Sequence, residues 1–518
     1  MSRSVPAGAA PLASSQPSPA RPQPAAPDLR DAARRVMAER GFEVALPPDA
    51  ARQLAAIESV AGDGAATPAV DTGNPGATVR DLRALPWSSI DNLESRDLDQ
   101  VEWCERLPGG DIRVLVGIAD VDALVPAGTP LDRHAAANTT SVYTGAATFP
   151  MLPEPLSTDL TSLGEGVARR AIVVDLVVRA DGTVARADAY RALVVNHRRL
   201  AYEPVGDWLD GAAPPPPGLE APPFAEQLRM QDEAARRLRA QRRARGALEL
   251  ETIEAQPVAV DGRVIDLRLT RKSRARELIE DFMIAVNVAI AELLEGRGIP
   301  SIRRVVHTPR RWARLVALAA SLGETLPPDP DAAALADFVV RRRAADPERF
   351  ADLSLSIVKL LGPGEYAVDR PGRPAEGHFG LAAPDYTHST APNRRYADLV
   401  TQRMLKAALA GAPCPYSADE LEAIARRCTE REDAARDVER RMRKEAAALL
   451  VATRVGERFG AIVTGVNERG TFVRLLRPPV EGRVVRGEAG LDVGDAVDVE
   501  LVATDPERGF IDFAALPR

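Results

Sequence analysis

The stretch Ser89-Ile90-Asp91-Asn92-Leu93-Glu94-Ser95-Arg96-Asp97-Leu98-Asp99-Gln100 places three aspartates within nine residues. It lies between the apolar lead-in Leu85-Pro86-Trp87 and the strand-like run Val101-Glu102-Trp103. Asp97 and Asp99 are two apart, so both carboxylates leave the same face of an extended segment. Asp91 can rejoin them across a turn at Asn92. Clustered carboxylates repel one another unless a cation sits between them, and an all-oxygen set suits a hard divalent ion such as Mg²⁺. Taken alone, D-x-D reads more readily as a solvated acidic turn. The rest of the chain decides.

With 518 residues the chain is long enough for two or more domains. A formal net charge of -7 gives no global basic signal, so any nucleic-acid site must be local. Cys104, Cys414 and Cys428 are odd in number and far apart. They form neither a disulfide framework nor a zinc pattern, which fits a reducing compartment. The histidines show no metal-ligand spacing. No apolar run approaches the roughly 18 residues of a membrane helix, and the Ala/Pro/Ser-rich N-terminus lacks a signal-peptide core. A cytoplasmic protein is expected.

Four regions follow from composition and periodicity. Residues 1–28 read as a disordered Pro/Ala-rich tail. Residues 29–80 read as a small helical region, with Asp28 capping a helix that closes at Gly41, a second helix over 49–60, and a Gly-rich linker. From 81 to 455 strands and helices alternate. Ile112–Ile118 and Ala171–Val178 are β-branched runs, and the second meets the hairpin signal Ala180-Asp181-Gly182. Phe224–Arg245 and Ala275–Leu294 read as amphipathic helices. Ser417-Ala418-Asp419-Glu420 is a capping box opening a long helix. In 456–518, short β runs at 461–466, 471–476, 496–501 and 510–513 predict a small OB-type barrel.

Three further stretches belong with the opening one. The first is Ser141-Val142-Tyr143 with Phe149-Pro150-Met151-Leu152-Pro153-Glu154-Pro155-Leu156-Ser157. The second is Leu278-Ile279-Glu280-Asp281-Phe282-Met283-Ile284-Ala285-Val286-Asn287. The third runs from His378-Phe379-Gly380-Leu381-Ala382 through Tyr386-Thr387-His388-Ser389-Thr390-Ala391-Pro392-Asn393-Arg394-Arg395-Tyr396-Ala397-Asp398-Leu399. Together the four stretches resemble the RNB family of ribonucleases, and the resemblance implies an α+β fold, a mixed sheet surrounded by helices, followed by an OB-fold barrel of the ribosomal-protein-S-one class. It also implies a Mg²⁺-dependent exoribonuclease, with Mn²⁺ as a possible substitute. Such an enzyme hydrolyses single-stranded RNA processively, 3′ to 5′, to nucleoside 5′-monophosphates. A monomer is expected, with no nucleotide cofactor and no membrane partner.

Residue by residue, Asp91, Asp97 and Asp99 match the family's metal-site carboxylates, with Asp99 the foremost catalytic candidate. Arg394 and Arg395 can donate paired hydrogen bonds to the scissile phosphate. Tyr202 matches an active-site tyrosine. Tyr143 matches one that stacks on a base, and Glu280 lies near the terminal nucleotide. Phe459 and Phe472 are candidate stacking residues of the barrel.

The departures are specific. Gln100 stands where the family usually has a fourth acid, which weakens binding of a second metal. Ala435 replaces a glutamate, and Leu248 and Leu250 stand near the place of a base-clamping phenylalanine. The region before residue 80 is too short for two cold-shock domains. From Gly456 to Arg518 eight arginines face eleven acidic residues, a net of -3, so attraction of the barrel to phosphate is modest. These features motivate a second reading, a catalytically weakened RNB-fold protein that binds RNA or regulates. A third is a phosphodiesterase acting on small nucleotides.

Overall fold

The computed structural model describes residues 28–62, 79–219, 222–251, 254–260, 263–270, 272–347, 349–372, 377–468 and 470–517. The tail through residue 27 and most of the Gly-rich linker lie outside them. Asp28 accepts from the Arg30 N–H and opens α1 (Leu29–Glu39). A short connection through Gly41 leads to α2 (Pro48–Gly62). Then come β1 (Arg80–Asp81), β2 (Trp87–Asp91), β3 (Gln100–Arg106) and β4 (Ile112–Ala119). Helix α3 (Pro130–Asn138) and a hairpin of β5 (Val142–Tyr143) and β6 (Thr148–Phe149) precede the long pair β7 (Ala168–Val178) and β8 (Val184–Ala201).

The sheet order is β1-β8-β2-β3-β4-β7, and β7 also pairs with β8, which brings the sheet round on itself. Strand β8 is parallel to β1 and β2 and antiparallel to β7, so the sheet is mixed. The predicted turn after Val178 holds. Gly182 has φ 82°, and a Cβ there would lie 2.0 Å from the Arg237 carbonyl oxygen.

Helices α4 (Tyr202–Leu209), α5 (Phe224–Ala244) and α6 (Arg274–Glu295) pack against one another and onto the sheet. The strand pair β9 (Glu254–Val260) and β10 (Arg263–Thr270) separates α5 from α6 in the chain. Beyond α6, β11 (Ser301–Val305) pairs with β12 (Glu365–Asp369). Between those two strands lie α7 (Trp312–Ser321), α8 (Ala332–Ala345) and α9 (Phe350–Leu361), none of them anticipated individually. They form a separate apolar cluster that takes in Leu248 and Leu250. Helix α10 (Tyr396–Ala410) follows, then the 34-residue α11 (Ala418–Val451), with both bonds of its capping box in place.

Ala435 is buried on α11 against Leu29, Val36 and Met37 of α1. A glutamate there would displace α1, which gives the small side chain a packing reason. The C-terminal strands β13 (Arg458–Asn467), β14 (Gly470–Leu475), β15 (Glu481–Arg486), β16 (Ala496–Asp505) and β17 (Phe510–Ala515) close a five-stranded barrel. Its core continues into the end of α11 through Ala447, Ala448 and Val451. Strand β15 escaped the sequence reading because only Gly482 and Val484 point inward. No helix among the described residues is long and apolar enough to cross a membrane.

Candidate active site

The three aspartates lie where β2 ends and β3 begins. Chain direction reverses through Asn92–Ser95, where the Ser95 N–H donates to the Asn92 carbonyl (3.1 Å). Asp91 Oδ1 accepts from Ser95 Oγ (2.9 Å) and the Asn92 N–H (2.7 Å), which fixes the carboxylate at the corner. Arg199 on β8 donates to the Leu93 and Ser95 carbonyls, and Arg276 on α6 donates to Asn92 Oδ1 (2.7 Å). The turn is thus held from two sides. Asp99 is 1% exposed, and its carbonyl accepts from the Ala119 N–H of β4 (2.9 Å).

The opposite wall comes from the turn before α10. The Ser141 N–H donates to the Arg394 carbonyl (3.0 Å) and the Tyr396 N–H to the Thr139 carbonyl (2.8 Å), so the Ser-Val-Tyr segment holds the Arg-Arg segment. The Asn393 N–H donates to Asp99 Oδ1 (3.2 Å), and Arg394 Nε lies 3.3 Å from Asp99 Oδ2. Asn287 of α6 accepts from both the N–H (2.9 Å) and the Oγ (2.8 Å) of Ser389, so the second motif block also braces the third.

Arg394 keeps 47% of its side chain exposed, as a phosphate ligand requires. Arg395, the second expected phosphate ligand, is differently placed. Its Nη2 is held by Asp398 (2.7 Å) and by Thr390 Oγ1 (3.4 Å), and Asp398, fully buried, also accepts from the Ala391 N–H (2.8 Å). Through these contacts Arg395 braces the turn.

Burial pushes the Asp99 carboxyl up to about 7, and the neighbouring Asp97 adds to the shift; Arg394 and the Asn393 N–H oppose it. For Arg394, burial works against the charge. The carboxylates of Asp99, Asp91 and Asp97 outweigh it and hold the guanidinium protonated. One arginine therefore answers to all three aspartates.

Tyr143 is 44% exposed, and its hydroxyl donates to Asp97 Oδ2 (3.3 Å). Its ring is thereby placed over the carboxylates and open to a base. We expect Tyr143→Ala to weaken single-stranded RNA binding by about 1–3 kcal/mol, while Tyr143→Phe stays near wild type. Filter binding with an oligonucleotide checks this; equal losses for both variants would point to the hydroxyl instead. Tyr202 opens α4 beneath Asp91, with the Arg276 guanidinium 4.3 Å above its ring.

Glu280 lies one helical turn beyond Arg276, which donates to Asn92 in the aspartate turn. Glu280 is on the exposed face of α6 and pairs with Lys272 (2.8 Å). Its neighbour Asp281 is not on that polar face but buried, paired with Arg239 (2.8 Å) and Arg242 (2.5 Å) of α5. Phe459 is buried in the barrel core with Arg454 over its ring at 4.5 Å, so it offers no stacking surface. Phe472 is half-buried.

The donor set fits a hard divalent ion. Asp99 Oδ2 is buried and accepts no hydrogen bond; with Arg394 Nε beside it at 3.3 Å, it keeps lone pairs that an ion could take. Asp97 neighbours Asp99, and Asp91 and Gln100, at the facing ends of β2 and β3, are the other candidate donors from the sequence. Among the described residues no three acidic, histidine or cysteine side chains stand close enough to cage an ion unaided. Mg²⁺ is typically held by one or two carboxylates together with water and substrate phosphate, so closure by the substrate is the expected mode.

Two participants were not anticipated from the sequence. Asn393 and Asp398 act through bonds that only the folded turn creates.

Comparisons with known proteins bear on the family and the fold. Residues 79–411 match the RNB domain, and residues 457–516 match the RNase II-type exonuclease C-terminal S1 domain. Ribonuclease R of Thermotoga maritima is 30% identical over 470 residues, covering 84% of this chain and 64% of its own. Ribonuclease R of Escherichia coli is 30% identical over 476 residues, covering 84% and 57%. The chain thus spans less than two thirds of the length of these relatives. The structure of Mycoplasma genitalium RNase R in complex with ribose methylated single-stranded RNA aligns with a TM-score of 0.81 at 22% identity. That alignment covers 94% of this chain and 78% of the other, and it bears on fold alone. The matched regions coincide with the closed sheet and its helices and with the terminal barrel, and the chain belongs to the RNB family.

Proposed function

We propose that this chain is a divalent-metal-dependent exoribonuclease that shortens single-stranded RNA processively from the 3′ end and releases nucleoside 5′-monophosphates. The observation that carries the reading is the contact of buried Asp99 with Asn393 and Arg394, brought together from 294 residues away. The 30%-identical relatives named Ribonuclease R support RNA as the substrate.

In the reaction a water oxygen attacks the terminal phosphorus, the bond from phosphorus to O3′ breaks, and O3′ takes up a proton. Arg394 donates to the non-bridging phosphate oxygens and meets the charge that develops there. Tyr143 stacks on a base and sets the register of the strand. Asp91, Asp97, Asp99 and Gln100 would hold the ion. Once bound, it would neutralise the phosphate and acidify the attacking water.

The test is digestion of 5′-labelled single-stranded RNA at micromolar enzyme with Mg²⁺ or Mn²⁺. A product ladder that shortens from the 3′ end is expected. No shortening with either metal overturns the reading. RNA that is bound but left intact would identify a weakened RNA-binding relative. Equal rates on dinucleotides and long RNA would identify a small-nucleotide phosphodiesterase.

A further inference from the structure

The aspartate turn and the arginine turn lie far apart in the sequence, and a third segment, Thr161-Ser162-Leu163, touches both. Ser162 Oγ accepts from the Leu98 N–H (3.0 Å) and donates to the Arg96 carbonyl (2.8 Å), so one hydroxyl brackets Asp97. The Leu163 N–H donates to the Leu98 carbonyl (2.9 Å), next to Asp99. Toward the other wall, Thr161 Oγ1 meets Asn393 Oδ1 (2.5 Å), and the Asn393 N–H donates to Asp99 Oδ1 (3.2 Å). All three residues of the segment are buried. Arg169 braces it through the Ser162 carbonyl (3.2 Å), and Asn196 Nδ2 does so through the Leu163 carbonyl (3.0 Å).

The Thr161 contact does more than close a loop. Its hydroxyl already has an acceptor in its own segment, the Leu156 carbonyl (2.8 Å) at the start of the short helical turn Leu156–Leu160. It shares its one proton between that carbonyl and Asn393. Asn393 is fully buried, and among the described residues its Nδ2 meets no acceptor. The bond to Thr161 is therefore what orients the amide. The next residue is Arg394, whose carbonyl accepts from the Ser141 N–H (3.0 Å) and whose Nε lies 3.3 Å from Asp99 Oδ2. Anchoring Asn393 thus fixes the main chain from which the guanidinium reaches out.

We propose that Thr161 is a positioning residue for RNA cleavage: through Asn393, its hydroxyl sets the place of the Arg394 guanidinium against Asp99. The inference rests on the exoribonuclease reading above. A donor aimed at developing charge loses its effect when it is displaced by a fraction of a bond length, whereas binding of the strand tolerates such a shift. The role of Thr161 is therefore one of rate and not of affinity.

Thr161→Val keeps the shape of the side chain and removes the hydroxyl. Digestion of labelled single-stranded RNA by the full chain is expected to show kcat reduced by about 10–100-fold, with KM and RNA affinity near wild type. A lower Tm is expected whatever the role, because the Leu156 carbonyl and the Asn393 amide each lose a partner. Thr161→Ser returns the hydroxyl and is expected to recover most of the lost kcat. The decisive comparison is made in an Arg394→Ala background. There Thr161→Val is expected to change the rate by less than about twofold, because residues that act through one another are not additive. Wild-type kcat in Thr161→Val, or an equal further loss in the Arg394→Ala background, overturns the positioning role and leaves the exoribonuclease reading standing. Wild-type protein that shortens no RNA with Mg²⁺ or Mn²⁺ overturns both.

Discussion

Asp99→Asn is expected to lower the rate of RNA shortening by on the order of 10³-fold or more, with single-stranded RNA affinity within about threefold of wild type. The exchange keeps the shape of a side chain that is 1% exposed and leaves an oxygen for the Asn393 N–H. It removes the charge that faces Arg394 and the proposed ion. Binding survives because Tyr143 and Arg394 are untouched. Single-turnover digestion and filter binding read the two effects separately, and a loss of both in equal measure would sink the assignment. The same substitution has a pH signature in the metal-free protein. The folded value of Asp99, about 7, stands above its ordinary 3.8, so the folded state binds this proton more tightly than the unfolded one. The contribution of Asp99 to stability is therefore present below about 4 and is lost as pH rises toward 7. Thermal melting of Asp99→Asn should lack that part of the decline and give a higher Tm than wild type at pH 8.

How far the sequence leads depends on whether a signal is local. Helices α6 and α11 announce themselves through apolar spacing and, in α11, the Ser417 capping box. The motif blocks point to Asp91, Asp97, Asp99, Tyr143 and Arg394 as one site, while the bonds that bring Arg394 to Asp99, from Ser141, Asn393 and Tyr396, appear only in the fold. Residues whose role depends on burial are harder to read. Arg395 and Asp398, three apart at the start of α10, carried a visible pairing signal, yet the motif alone suggested two equivalent phosphate ligands. The inward position of Phe459 was equally available, since Phe459, Ala461 and Val463 alternate toward the barrel core. Asp281 illustrates the opposite case: nothing in its own helix reveals the two arginines of α5 that bury it. Glu102 is of that kind as well. Its neighbours Val101 and Cys104 predict a core strand, and only the fold shows that no donor reaches its carboxylate.

Arg394→Ala is expected to reduce kcat by about 10²–10³-fold, the typical cost of removing a donor aimed at developing charge. KM should rise much less, because the strand is also held by stacking and by its other phosphates. On the proposed reading the guanidinium meets one phosphate, so the salt dependence of single-stranded RNA binding should flatten by about 0.7 in the log–log slope. Arg394→Lys separates charge from geometry. A lysine ammonium keeps the salt slope but cannot donate the paired hydrogen bonds of a planar fork, so kcat should recover only in part. Arg395→Ala provides the contrast, because Asp398 would lose its cation while fully buried. Its leading effect should be a lower Tm, whereas Arg394, with 47% of its side chain exposed, should change the melting temperature far less. An Arg394→Ala enzyme with wild-type kcat and an unaltered salt slope would remove the guanidinium from the phosphate. The contact with Asp99 would then be structural, and the charge for the transition state would have to come from the ion alone.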